Sequence, residues 1–198
     1  MKNALKNSIV LTGICLFFAS CGGPEGKTGA KEAGQQEEVT EEKKEEKEAL
    51  VTAPTKPENI TFVEQDFEGI GKISVPSGKD WVKDGNEISN EKLAMTIVIQ
   101  AQDGDFTQQT KEFTDSYNEI NKRDAPKYEL VKEQAGDIGG VNTVRVVGKF
   151  NNGDQYSTRD YLFYTPEKVV MYMSRADSKN QASLDQITDY VAASFKKK

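Results

Sequence analysis

Apolar and aromatic residues recur in short runs along the chain from residue 59 onwards. Three of these runs are Val144 to Phe150, Tyr156 to Tyr164 and Val169 to Met173. Asn151-Asn152-Gly153-Asp154 separates the first two and Thr165-Pro166-Glu167-Lys168 the last two, and both have residue types that favour tight turns. Strands joined by turns this short must be antiparallel, so the pattern predicts a three-stranded meander.

Four further runs predict additional strands. Ile60 to Gln65 and Phe67 to Val75 are expected to meet at a turn near Gln65-Asp66, and Tyr128 to Lys132 is a short strand. Leu93 to Ile99 is apolar on both alternations, as is typical of a central strand covered on two faces.

A helical period predicts two helices. Asp105 and Gln108 form a capping pattern for the first, which Pro126 ends, and Ser178 with Gln181 forms one for the second. The predicted apolar stripes are Phe106, Phe113, Tyr117 and Ile120 in the first helix and Leu184, Ile187, Val191 and Phe195 in the second.

The strand from Leu93 to Ile99 determines the predicted architecture, because each of its two apolar faces must be covered by another layer of secondary structure. We predict an α+β fold, with a single antiparallel sheet flanked by the two helices on opposite faces. Lys196 to Lys198 would follow the second helix, where cations interact favourably with a helix C-terminus.

The first twenty residues have a different pattern. Lys2 and Lys6 precede an apolar stretch from Ile9 to Ala19, and small residues lead to Cys21. The stretch is too short for a permanent membrane anchor and predicts a secretory signal over residues 1–20. An ordinary signal peptide, cut at a nearby small residue, would leave Cys21 as a free thiol.

The run Leu16-Phe17-Phe18-Ala19-Ser20-Cys21 resembles the lipobox of bacterial lipoprotein signals, with Phe18 where Leu is usual. The resemblance implies cleavage before Cys21, a diacylglycerol on its sulfur and acylation, for example by palmitate, of the new amino terminus. Two or more acyl chains would anchor the protein durably in a membrane. Gly22 is not the Asp that retains enteric lipoproteins in the inner membrane, so the outer membrane is favoured, facing either the periplasm or the cell surface.

Residues 21–58 contain too few apolar residues to offset the entropy of ordering the chain. The segment includes the charged run from Glu37 to Glu48 and ends near Pro54 and Pro57. We predict a lipidated, flexible, acidic tether that acts as a spacer, with export sorting or partner docking as the alternative. Residues 59–198 are predicted to form one globular domain.

Composition excludes several kinds of chemistry. The chain contains no histidine, and its two cysteines are Cys15 in the predicted signal and Cys21. A Ser-His-Asp triad, a Cys-His pair and a His/Cys zinc site are therefore excluded from the mature protein. Removing Lys2 and Lys6 with the signal lowers the basic count from 26 to 24, against 32 acidic residues, which gives a formal net charge of −8 and disfavours nucleic-acid binding.

Three motifs in order resemble the PsbP-like superfamily: Ile73 to Trp81 with its Pro-x-Gly before the Trp, Gly139-Gly140 before Val144 to Val147, and Ala193 to Lys196. The resemblance covers about residues 60 to 198. It implies the predicted fold and a binding or assembly module, without a shared catalytic constellation. We expect no cofactor and no metal site.

The expected binding surface comprises Trp81, Tyr161 and Arg159, because aromatic and arginine side chains supply much of the energy at interfaces. Burial of Trp81 in the core is the alternative. Arg145, Arg159 and Asp160 are expected to form a charge pair on a solvated face or to bind an anion. The acidic clusters from Asp84 to Glu87 and from Asp103 to Asp105 fit turns and caps.

We expect a lipid-anchored, non-catalytic binding or scaffold protein of the bacterial cell envelope, attached to the membrane through Cys21 and bound to an envelope or surface protein. A carboxylate-based enzyme or small-ligand carrier is the first alternative, for which no acid pair is selected by the sequence. An assembly factor for an envelope membrane complex is the second.

Overall fold

The computed structural model describes residues 50–51, 54–106, 110–124, 127–152 and 154–198. The predicted signal, Cys21 and most of the predicted tether lie outside these residues. The described strands are β1 (Thr61–Phe67), β2 (Gly71–Ser77), β3 (Val82–Asp84), β4 (Glu87–Asn90), β5 (Met95–Asp103), β6 (Glu129–Ile138), β7 (Val141–Asn152), β8 (Asp154–Tyr164), β9 (Lys168–Asp177) and β10 (Lys196–Lys197). The described helices are α1 (Thr110–Asp124) and α2 (Gln181–Ala193).

The strands form two antiparallel sheets rather than the single sheet that we predicted. The large sheet has the order β3-β4-β5-β9-β8-β7-β6, and the small sheet has the order β1-β2-β10. The β1–β2 hairpin buries Phe67, Ile73 and Val75 in the same core as α2, so it covers a face of the large sheet instead of extending its edge.

The predicted meander is confirmed, because β7, β8 and β9 pair in succession. The predicted central position of the strand within Leu93 to Ile99 is confirmed, since β5 lies between β4 and β9, but only one of its faces is fully covered: Met95, Ile97 and Ile99 are buried, whereas Thr96 and Val98 are half-buried. The turn between the first two strands is at residues 68–70 and not at Gln65-Asp66, because Glu68 and Gly69 adopt positive φ and the Asp66 carboxylate accepts a hydrogen bond from the Gly69 amide. The hairpin of β3 and β4 was not predicted, since β3 is exposed throughout and has no apolar alternation.

The two helices lie on opposite faces of the large sheet, as predicted. Leu162 and Tyr164 of β8 are buried in the core beneath α1, whereas Tyr161 and Phe163 are buried in the core shared by α2 and the small sheet. The alternation of side chains along β8 therefore separates two hydrophobic cores. Leu50, which we assigned to the tether, is also buried in the α2-side core.

The helix ends agree only in part with the prediction. Helix α1 ends at Asp124 as expected, and Gln108 lies outside the described residues. Helix α2 begins at Gln181 and not at Ser178, because residues 178–180 form a 3₁₀ turn capped by the Asp177 carboxylate, which accepts from the Lys179 amide at 3.0 Å.

The lysines after α2 do not extend it. Lys196 and Lys197 form β10 and pair with Lys72 and Gly71 of β2. Phe195, predicted to continue the helix stripe, is buried just beyond α2 and packs against the rings of Phe67 and Phe163. Packing of the Phe195 ring in this aromatic cluster accounts for the end of α2 and for the pairing of the next residues with the small sheet.

Candidate binding face

The structure places Tyr161 and Arg159 on the same face of β8, where both are buried against α2. The Tyr161 side chain is 0% exposed, and its hydroxyl donates to Asp189 Oδ1 of α2 at 2.6 Å. Arg159 is 4% exposed and pairs with Asp185 of α2. Trp81 is half-buried against the α2-side core. A partner cannot reach Tyr161 or Arg159 in this conformation, so these residues hold α2 rather than form a surface.

The predicted charge pair of Arg145, Arg159 and Asp160 is also replaced by other partners. Arg145 donates to Asp189 at 2.9 Å, so both arginines bind carboxylates of α2. Asp160 points to the opposite face because it is adjacent to Arg159 along β8. The strands thus direct both guanidinium groups beneath a helix, where neither is available to an anion.

Asp160 is the centre of a buried polar network under α1. It is 4% exposed and accepts hydrogen bonds from the Tyr117 hydroxyl at 2.9 Å and from the Ser174 amide at 3.0 Å. Burial raises the pKa of Asp160 to about 7, and the Tyr117 hydrogen bond opposes that shift. The carboxyl is enclosed between helix and sheet, which fits a role in fixing α1 and not one at an open active site.

The α1 side of the large sheet is only partly covered. One transverse row of this face crosses five strands through the register pairs Val82–Ser89, Ser89–Thr96, Thr96–Arg175 and Thr158–Arg175. We call these five residues the Arg175 row. Arg175, Ser89, Thr96 and Thr158 are half-buried, and Val82 is 64% exposed. The row therefore presents hydroxyl, guanidinium and apolar groups to the outside.

Apolar side chains lie on both sides of the Arg175 row. Val98 and Met173 form a register pair on one side, and Phe150 and Tyr156 stack at 5.1 Å between ring centroids on the other. All four are half-buried. We define the binding face as the Arg175 row together with Val98, Met173, Phe150 and Tyr156.

Arg175 is the cation at the centre of the binding face. Partial burial lowers the pKa of its guanidinium, and the charge of Glu87 is the main influence that opposes this shift. Within the described residues, the Arg175 guanidinium takes part in no hydrogen bond or salt bridge, whereas Arg145 and Arg159 each have a carboxylate partner. The Arg175 guanidinium is therefore a half-buried cation that still reaches solvent and is available to a partner.

Sequence reasoning missed Arg175 because it ended the last strand of the meander at Met173, whereas β9 continues to Asp177. The alternation does continue, with Ser174 and Ala176 buried and Arg175 half-buried between them. The sequence Ser174-Arg175-Ala176 does not show this alternation, because the buried Ser174 is polar.

A cleft of about 440 Å³ lies between β1 and the β3–β4 hairpin. Ile88 and Ile99 line it, and at its side Lys83 Nζ donates to Gln65 Oε1 at 2.7 Å. Asp66 also lines the cleft, but it is bound by Lys198 Nζ at 2.9 Å and by the Gly69 amide, which lower the pKa of its carboxyl. An ionised carboxylate held in this way fits a structural ion pair, not a general acid.

The predicted turn residues have the expected positions. Asp84 and Glu87 flank the β3–β4 turn, and Gly104 follows β5, where its amide donates to the Glu167 carbonyl at 3.0 Å. Among the residues that the structure describes, no three His, Cys, Asp or Glu side chains are grouped as metal ligands would be. No helix in that part of the chain is long and apolar enough to cross a membrane.

Comparison with solved structures identifies the fold. The chain is similar to the cyanobacterial PsbP protein CyanoP from Synechocystis sp. PCC 6803, with 12% identity, a TM-score of 0.50, and coverage of 70% of this chain and 92% of that one. It is also similar to LpqN from Mycobacterium tuberculosis, which is described as involved in cell envelope biogenesis, with 15% identity, a TM-score of 0.49, and coverage of 70% and 91%. It is similar as well to PA94, a protein of unknown function from Pseudomonas aeruginosa, with 12% identity, a TM-score of 0.43, and coverage of 66% of this chain and 94% of that one.

No protein-family description and no curated protein matches the sequence. The likeness to CyanoP confirms the PsbP-like fold that the sequence motifs predict.

Proposed function

We propose that this protein is a lipid-anchored, non-catalytic binding or scaffold protein of the bacterial cell envelope. The observation that carries the proposal is the binding face, where an arginine without a partner lies among half-buried apolar side chains. Exposed apolar surface around a polar anchor is typical of interaction sites, and arginine is enriched at their energetic centres.

Three parts of the chain would act together. The acyl chains on Cys21 would hold the protein at a membrane, favoured as the outer membrane by Gly22. The acidic segment up to residue 58 would act as a spacer, and the folded domain would display the binding face to an envelope protein. The absence of histidine and the enclosure of Asp160 favour binding over catalysis.

Exposed valines provide a matched test of the binding face. Val82 lies in the Arg175 row, whereas Val63 lies on β1 and Val131 on β6, and both are 46% exposed. A photo-crosslinking amino acid is placed at each position in the full-length protein, and intact cells are irradiated. We expect one discrete adduct at Val82 and none at Val63 or Val131. Equal labelling at all three positions, or none at Val82, would contradict the proposal.

A further inference from the structure

We infer that the binding face recognises a carboxylate of a protein partner through the Arg175 guanidinium and the Thr96 hydroxyl, with the Thr158 hydroxyl buried on the other side of Arg175, an inference that rests on the proposed function. The partner segment would present Asp, Glu or a C-terminal carboxylate between apolar side chains. This assigns the partner's chemistry and the residues that select it.

The register of the sheet brings the three groups together. Thr96 on β5 and Thr158 on β8 are the direct cross-strand neighbours of Arg175 on β9, one on each side. Directly opposed residues in antiparallel strands have Cβ atoms about 4.5–5.5 Å apart, and their side chains project from the same face. A guanidinium donates two parallel hydrogen bonds to a carboxylate, and the Thr96 hydroxyl beside it adds a further donor.

The Thr158 and Tyr128 hydroxyls lie beside each other in the interior at one end of the row. Both oxygens are buried, and burial raises the pKa of Tyr128 to about 12, a shift that its neighbours Asn121 and Thr158 oppose. Tyr128 lies over Gly148, the register neighbour of Thr158, where a Cβ would meet the Tyr128 ring and hydroxyl at 2.5 Å. Because residue 148 is a glycine, the Tyr128 ring can pack directly on the backbone there and close this end of the row.

The surrounding charges favour a carboxylate over a phosphate. Partial burial lowers the Arg175 pKa, so a bound anion would compensate a cation that solvent stabilises incompletely. Glu87 acts on Arg175 from the same face. This acid would repel a dianion more strongly than a monoanion.

The apolar neighbours define what surrounds the carboxylate. On one side of the row lie Val98 and Met173, and on the other lie the stacked rings of Phe150 and Tyr156. A chain bound at Arg175 would therefore contact these apolar side chains. Apolar side chains that flank the acid would remove this surface from water and strengthen the ion pair.

The first test uses the Val82 crosslinker in intact cells, in the full-length protein. Arg175→Gln should reduce the Val82 adduct at least about tenfold, and Arg175→Lys should reduce it less, because it keeps the charge but loses the two-pronged geometry. Arg123→Gln is the matched control, since Arg123 on α1 is exposed and pairs with its neighbour Asp124. Circular dichroism and thermal unfolding verify that the variants fold.

The outcomes separate the two proposals. Failure of the unsubstituted protein to form a Val82 adduct contradicts the proposed function itself. An adduct that persists in Arg175→Gln overturns the carboxylate inference and leaves the function standing. Mass spectrometry of the adduct adds an independent criterion: the crosslinked partner peptide should contain Asp, Glu or a C-terminal carboxylate next to apolar residues, and a peptide without one overturns the inference.

The second test uses defined probes with the purified lipidated protein. N-acetyl-Leu-Glu-Leu-amide should shift the backbone amide resonances of Thr96, Thr158 and Arg175, and the matched Gln peptide should not. Inorganic phosphate distinguishes the source of the oxyanion. Shifts from phosphate as large as those from the Glu peptide, or no shifts from the Glu peptide, would overturn the inference.

Discussion

The Tyr117 hydroxyl of α1 donates a 2.9 Å hydrogen bond to Oδ2 of Asp160 on β8. The other carboxylate oxygen accepts from the Ser174 amide of β9, so one buried side chain joins a helix to two strands. Burial raises the pKa of Tyr117 as well, so it remains the protonated donor. This network fixes α1 at one edge of the binding face.

The free energy of unfolding should fall as the Asp160 carboxyl ionises, whereas a carboxylate in an ordinary ion pair stabilises the fold when it ionises. Its folded pKa of about 7 lies above the usual value of 3.8, so the folded state binds the proton more tightly than the unfolded state. Its contribution is fully present below about pH 4 and is lost as the pH rises through about 7. Urea unfolding should therefore show Asp160→Asn gaining stability relative to the unsubstituted protein across that range. Parallel pH profiles would contradict this.

Tyr117→Phe should raise the Asp160 pKa further, because the lost hydrogen bond stabilised the carboxylate. The titration of the Asp160 carboxyl carbon, followed by ¹³C NMR, measures this directly. Tyr190→Phe is the control, since Tyr190 is half-buried on α2 and its ring packs against Phe62. An unchanged midpoint in Tyr117→Phe would show that the hydrogen bond does not stabilise the ionised form.

The Arg159–Asp185 pair should respond unequally to loss of its two members. Arg159 has a 5% exposed side chain and Asp185 a 38% exposed one. Asp185→Asn leaves a buried cation without its counter-charge and should cost about 3 kcal/mol of unfolding free energy. Arg159→Met leaves a hydrated carboxylate and should cost less, and the double variant should recover part of the Asp185→Asn loss. Asp115→Asn, in an exposed pair on α1, should leave stability unchanged. Equal losses for the two single variants would contradict this account.

Gly71→Ala should detach β10. A Cβ at Gly71 would lie 2.4 Å from the Lys196 carbonyl oxygen and 2.6 Å from the Phe195 ring. We expect a loss of about 2 kcal/mol and faster hydrogen exchange at the Lys198 amide, which donates to the Ile70 carbonyl. Lys72→Ala is the control, because it removes only the exposed contact with Glu64. Unchanged exchange in Gly71→Ala would mean that β10 tolerates the added methyl.

The two cysteines provide a test of lipidation. Cys21→Ala should abolish incorporation of labelled palmitate and release the protein from the membrane fraction. Cys15→Ala changes a residue within the predicted signal and should keep both properties. Labelling that persists in Cys21→Ala would refute the lipobox interpretation.

Local patterns predicted the parts of the fold that local contacts determine. The β7–β8–β9 meander followed from turn residues, and the end of α1 followed from Pro126. The small sheet was missed because Lys196 pairs with Lys72, which is distant in the sequence, and no local pattern indicates that pairing. The Arg175 row was missed for a related reason: its members come from five strands, and only the register places Thr96 and Thr158 beside Arg175.

The pairing of β2 with β10 constrains when the domain can become complete. Gly71 and Lys197 are register partners, so the small sheet cannot close until residue 197 has been synthesised. If the chain is exported unfolded, closure must also wait until that residue has crossed the membrane. Long-range pairings of this kind form slowly, because the intervening chain must first be ordered. The pairing of β10 with β2 is therefore expected to be among the last steps in the folding of this domain.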